Sequence, residues 1–187
     1  MAMNFEELDA VTRRFMRAEF DAEEAVRPYR SPRLSAAAAA AFADVMRTAI
    51  DLWDEVHVQD RFVLAHHWHP TETYQLKGST HTRAINPIAA AELLGLGEFN
   101  TWYVRGLAAR LLDEGETVCE VYRASEPKFT HASCSSHEGR TYRVQEVYDG
   151  HRRGYWPPGH AAGFSIPAGP GCHHTIRRIP TQNTARP

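Results

Sequence analysis

The chain has 187 residues, 43% hydrophobic and 24% charged, with a formal net charge of −2. This is ordinary globular usage, over a length suited to one domain or one domain with an appended lobe, and it excludes wholesale disorder. No apolar run approaches the roughly 20 residues that cross a bilayer, and Met1 to Glu24 is acidic and amphipathic rather than signal-like, so a cytoplasmic chain without membrane contact is expected.

Phe5, Leu8, Val11, Phe15, Met16 and Phe20 recur at helical spacing and predict a first helix over 4–26, stopped at Arg27-Pro28. Pro28 to Pro32 reads as a linker. Ser35 is the N-cap of a second helix, whose stripe of Phe42, Val45, Met46, Ile50 and Trp53 carries it to about Val56. Phe62 to Ala65 fits a strand or a helix start. Asn86-Pro87 opens a third helix that Gly95 ends, and Asn100 caps a fourth that runs to Gly115. Val118 to Tyr122 and Thr141 to Tyr148 alternate like strands.

Beyond Gly150 the sequence is rich in Gly, Pro and His. About 25 loop residues with few large aliphatics cannot be ordered by packing alone. The expected fold class is α+β, with a helical region over 1–115. A small, loop-rich, β-containing and metal-clipped lobe follows over 116–180, and then a flexible tail over 181–187.

Charge divides along the same line, with −7 over residues 1–126 and +5 over residues 127–187. A basic tail could touch nucleic acid or an acidic neighbouring subunit. The plainer expectation is that Arg152, Arg153, Arg177 and Arg178 are solvated.

The three cysteines are Cys119, Cys134 and Cys172, and six of the eleven histidines follow Lys128. An odd cysteine count in a chain without an export signal argues for thiolate ligands or buried thiols, not disulfides. Cys134-Ser-Ser-His137 and Cys172-His173-His174 are two short-spaced pairs of the kind that present thiolate sulfur and imidazole nitrogen to one tetrahedral zinc ion. They bracket the segment that needs anchoring, so a structural Zn2+ held by Cys134, His137, Cys172 and His174 is expected, with His160 and His173 competing for the fourth place. Cys119 lies within an alternating strand and reads as a core thiol.

The order from Trp102 to Pro180 is an Arg-bearing helix, the strand Val118-Cys119-Glu120-Val121-Tyr122 and the Cys134/His137 pair. Glu138-Gly139-Arg140-Thr141-Tyr142-Arg143-Val144 and Pro170-Gly171-Cys172-His173-His174-Thr175 complete it. This order resembles the C-terminal domain of the phage minor head, or head-morphogenesis, proteins. Their pattern is Cys-x-x-Cys, a Gly and a short strand, then His-Pro-Asn-Cys-x-Cys-Thr. The family's cysteine pairs fall on Cys134 and His137, and on Cys172 and His174, while Pro170 and Thr175 match directly. Two family cysteines are histidines here, Gly169 replaces the histidine before the proline, and the intervening loop is longer. The resemblance covers under half of the chain. It implies a virion structural or assembly protein that contacts other capsid or connector subunits and ends in the virion.

A second histidine cluster, His66-His67-Trp68-His69-Pro70-Thr71-Glu72, with His81 beyond, suggests an alternative. His67 and His69 on one strand face could hold a catalytic metal and Glu72 could act as base, giving a metal-dependent hydrolase or nuclease. Phosphate-loop and dinucleotide fingerprints are absent from the sequence.

Overall fold

A computed structural model describes residues 2–126, 136–152, 165–169 and 171–179. Its first helix, α1 (Ala10–Val26), starts later than the apolar spacing predicts. The Asp9 carboxylate accepts the amides of Val11 and Thr12, at 2.9 and 2.8 Å, and fixes the start there. Upstream amides bond across the molecule instead of along a helix. Met3 N donates to Glu55, Asn4 N to Ala124 O, Glu6 N to the Tyr122 hydroxyl, and Glu7 N to the Tyr103 hydroxyl. Phe5 packs on Phe99 and Tyr103, with ring centroids 5.4 and 4.6 Å away.

Ser35 caps α2 (Ala36–Leu52) as expected. The helix breaks at Trp53 because Asp54 caps a new one, α3 (Glu55–Phe62), by accepting from Val56 N. A 3-10 turn over Ala65–His67 leads to the hairpin of β1 (Thr71–Leu76) and β2 (Ser79–Ala84). Lys77 and Gly78 lie between them with φ of 50° and 81°, the left-handed pair that a two-residue hairpin turn requires. This hairpin is absent from the sequence-based expectation.

Two expected helices are one. The 27-residue α4 (Pro87–Asp113) runs straight through Gly95 and Asn100. Gly95 is a point of close approach and not a stop: a Cβ there would stand 2.5 Å from the Glu55 carbonyl oxygen of α3. Gly106 does the same for α1, where a Cβ would meet the Met16 backbone at 2.5 Å. Gly106→Ala should therefore destabilise by about 3 kcal/mol through overpacking, although alanine favours a helix by about 1 kcal/mol. Urea unfolding checks the sign. A neutral or stabilising result would mean that α1 and α4 separate freely.

β3 (Val118–Arg123) is the centre of an antiparallel sheet ordered β4-β3-β5. β4 is short, Thr141–Arg143, and the chain then turns into α5 (Val144–Asp149), burying Val144 and Val147. The expected strand over Thr141 to Tyr148 is cut short because Val144 and Val147 also satisfy helical spacing. β5 (His174–Arg178) emerges from the Gly/Pro-rich sequence by pairing with β3, Cys119 opposite Arg178 through Arg123 opposite His174. The fold is α+β. One apolar cluster joins Met16 and Phe20 of α1, Phe42 and Met46 of α2, Phe62 of α3 and Trp102 and Leu107 of α4. It continues into the sheet at Val121 and Ile176. No described helix is long and apolar enough to cross a membrane.

Three arginines of the basic half pair within the molecule. Arg177 pairs with Glu120 and Glu6, each at 2.9 Å, and Arg178 pairs with Glu7, Glu114 and Glu116. Arg152 is buried, with its guanidinium on Glu98 at 2.7 Å and Glu23 at 3.3 Å. These three arginines thus face carboxylates of their own chain. Arg153 lies outside the described residues.

Beside Arg152, His151 Nε2 is 2.9 Å from Glu23, and its ring packs on Trp102 at 5.0 Å. Burial pushes its pKa down to about 4, Arg152 and Arg105 push the same way, and the Glu23 contact opposes them. The neutral ring contributes stability above the ordinary value of 6.5, and this is lost as pH falls toward 4. The loss should approach about 3 kcal/mol. Denaturant melts at pH 7.5 and 4.5 should show it in the native chain and a smaller loss in His151→Gln.

Candidate metal centre

Asn100 and β3 build the site from opposite sides. The Asn100 side-chain amide donates to the His174 carbonyl at 2.9 Å and to the Cys172 carbonyl at 3.5 Å, fixing the backbone on which both candidate ligands sit. Gly139 N donates to Val121 O at 2.8 Å, and Val121 N donates to Arg140 O at 3.0 Å. These bonds lay the turn over residues 136–139 on the end of β3, and Gly139 takes the left-handed φ of 72° that the turn needs. His137, Glu138, Cys172 and His174 thereby reach the same end of the sheet.

Cys172 and His174 are 4% and 3% exposed. The Cys172 sulfur lies 4.0 Å from His174 Nδ1. On the far side of that ring, Nε2 lies 3.3 Å from Glu138 Oε2. Arg123 grips Glu138 through Nε at 3.0 Å and Nη2 at 2.7 Å, and this guanidinium holds the carboxyl below the ordinary carboxylate range. His137 Nδ1 is 2.5 Å from the Tyr142 hydroxyl. Burial lowers the His137 pKa, and Arg140 and His174 add to the effect. A neutral imidazole is the form that ligates a metal.

His173, a competitor for the fourth place, is engaged elsewhere: its Nδ1 is 2.7 Å from the Ser125 hydroxyl. His160 and Cys134 lie outside the described residues. Among the described residues no three His, Cys, Asp or Glu side chains form a group that could hold a metal ion. The structure therefore brings Cys172 and His174 into contact and seats His137 nearby. Cys119 is buried in the core, where burial pushes its thiol up to about 12 and keeps it protonated.

The Cys172–His174 pair fits zinc in two respects. Tetrahedral angles and ordinary Zn–S and Zn–N lengths put sulfur and nitrogen about 3.6 Å apart, close to the 4.0 Å found. A ligating histidine usually donates its other ring N–H to a carboxylate or carbonyl, and Glu138 stands where that acceptor is needed.

The His66–Glu72 cluster is arranged differently. His67 belongs to the 3-10 turn, its ring against His66 at 4.2 Å and the Phe62 ring at 5.5 Å. Glu72 is ion-paired with Arg33 at 3.0 Å and accepts a hydrogen bond from Arg83 at 2.8 Å, so the carboxylate that a general base would use is already neutralised by two guanidinium groups. His81 stacks on Tyr74 across the hairpin, with centroids 5.5 Å apart.

Sequence reasoning missed Asn100, Arg123 and Glu138. The one local signal was the position of Glu138 beside His137; Asn100 reads as a helix cap and is recognisable as a site residue only once β5 lies against α4. Compared with known proteins, the chain matches no family model, no curated protein and no solved structure.

Proposed function

We propose that Cys134, His137, Cys172 and His174 hold a structural zinc ion, and that the chain acts as a virion assembly subunit of the minor-head type. The observation that carries the metal half is the Cys172–His174 contact, backed by Glu138 on the far face of the ring. Zinc here would clip β5 to the turn over residues 136–139 and supply no catalysis, since four protein ligands leave no position for substrate. The assembly half draws on the order of motifs from Trp102 to Pro180. In that role the chain would contact capsid or connector subunits.

Metal analysis of protein purified without added zinc tests the first half. One zinc per chain is expected, and a metal-free, fully folded chain would overturn it. The second half is tested by the genes that flank this one. Portal, protease and major capsid genes as neighbours support it, whereas a metabolic operon would count decisively against it.

A further inference from the structure

The two nitrogens of His174 face different chemistry, and the difference is built in. Asn100 fixes the backbone at Cys172 and His174 by donating to both carbonyls, at 3.5 and 2.9 Å. That backbone is also the first pair of the β5 register, opposite Arg123. With the backbone fixed, the remaining freedom of the His174 ring is rotation about its side-chain bonds, including a flip that would exchange its edges. Glu138 breaks that symmetry. Its Oε2 meets Nε2 at 3.3 Å, and Glu138 is in turn oriented by the two-pronged grip of Arg123, at 3.0 and 2.7 Å. The edge that remains, Nδ1, faces the Cys172 sulfur at 4.0 Å.

Resting on the zinc-clip reading, we propose that Glu138, oriented by Arg123, is the positioning residue that makes His174 bind zinc through Nδ1. The mechanism is a choice of tautomer. The Glu138 carboxylate accepts the Nε2–H, so the lone pair is left on Nδ1, facing the thiolate that shares the ion. A carboxamide at position 138 keeps the shape and a carbonyl acceptor but loses the charge. Alanine loses both.

Long-range proton–nitrogen correlation on the zinc-loaded chain reads the tautomer directly. His174 is expected with metal on Nδ1 and the proton on Nε2. Competition against a chromophoric chelator reads affinity. Glu138→Ala should weaken zinc about 10- to 100-fold and Glu138→Gln less, while Glu126→Ala, which removes another carboxylate contacting Arg123, should leave affinity unchanged. Zinc bound with His174 ligated through Nε2, or Glu138→Ala at native affinity, overturns the positioning role alone. A chain that binds no zinc overturns the clip reading and this inference with it. Near-identical circular dichroism of Glu138→Ala and the native chain guards against simple misfolding; if Glu138→Ala misfolds, the tautomer measured in the native chain still decides.

Discussion

Stripping the proposed zinc ion with a strong chelator is expected to cost the chain on the order of 10 kcal/mol of folding free energy. The loss should be felt first at β5 and the turn over residues 136–139. Among the described residues β5 pairs with β3 alone, and Gly, Pro and His dominate the sequence leading into it. Ile176 is its main anchor in the core. Without the ion, a buried Cys172 and His174 remain, joined by a weak thiol–imidazole contact worth far less than a metal bond. Hydrogen exchange should show protection collapsing at β5 before it falls in α1 and α4. Cys172→Ser should reproduce the chelator effect. Cys119→Ser should retain the metal and lose only core stability, because its thiol is buried in the apolar cluster. If chelation leaves the melting curve and the exchange of β5 unchanged, the clip does not exist.

Arg152→Met is expected to destabilise by about 3–5 kcal/mol, the cost of leaving a buried charge without its partner. The guanidinium makes a fork on Glu98, at 3.1 and 2.7 Å, and lies over the rings of Tyr29 and Trp102, at 4.6 and 5.2 Å. Glu98 is only 6% exposed, so its carboxylate cannot regain water without opening the junction of α1 and α4. Methionine preserves most of the volume and isolates the electrostatic loss. Adding Glu98→Gln should recover much of the deficit, since removing both charges costs less than removing one. Urea unfolding of the two single variants and the double variant measures the coupling. A single-variant cost below about 1 kcal/mol would show that water reaches Glu98 despite its burial.

Local capping chemistry made several elements readable. Ser35 and Asn86 cap α2 and α4 because a short side-chain oxygen reaches a free amide two or three residues on, a contact settled within one turn. The apolar stripe of α1 and the alternation of β3 were legible for the same reason, and so was the α+β class. The pairing of cysteine with histidine at 172 and 174 was visible as spacing. Its partner groups were not, because Asn100 and Glu138 reach it across 74 and 36 residues of sequence.

The misreadings share one cause. Gly95 and Asn100 look like a stop and a cap when only neighbours along the chain are considered, yet α4 passes through both. At Gly95 the missing Cβ admits the α3 backbone, and at Asn100 the amide finds its acceptors at Cys172 and at the first residue of β5, His174. The upstream limit of α1 was missed because the amides of Met3, Asn4, Glu6 and Glu7 find partners on distant elements. Arg177 and Arg178 of the basic half lie against Glu6, Glu7, Glu114, Glu116 and Glu120 of the acidic one, contacts that charge counted along the chain does not reveal.

What the sequence by itself determined was therefore the set of local free-energy choices: caps, stripes, alternation and the short-spaced candidate ligands. The tertiary structure alone decided whether a glycine ends a helix or admits a neighbour, where the basic residues spend their charge, and which nitrogen of His174 faces Cys172. Those outcomes depend on groups brought together through space, whose energies are absent from any short window of the chain.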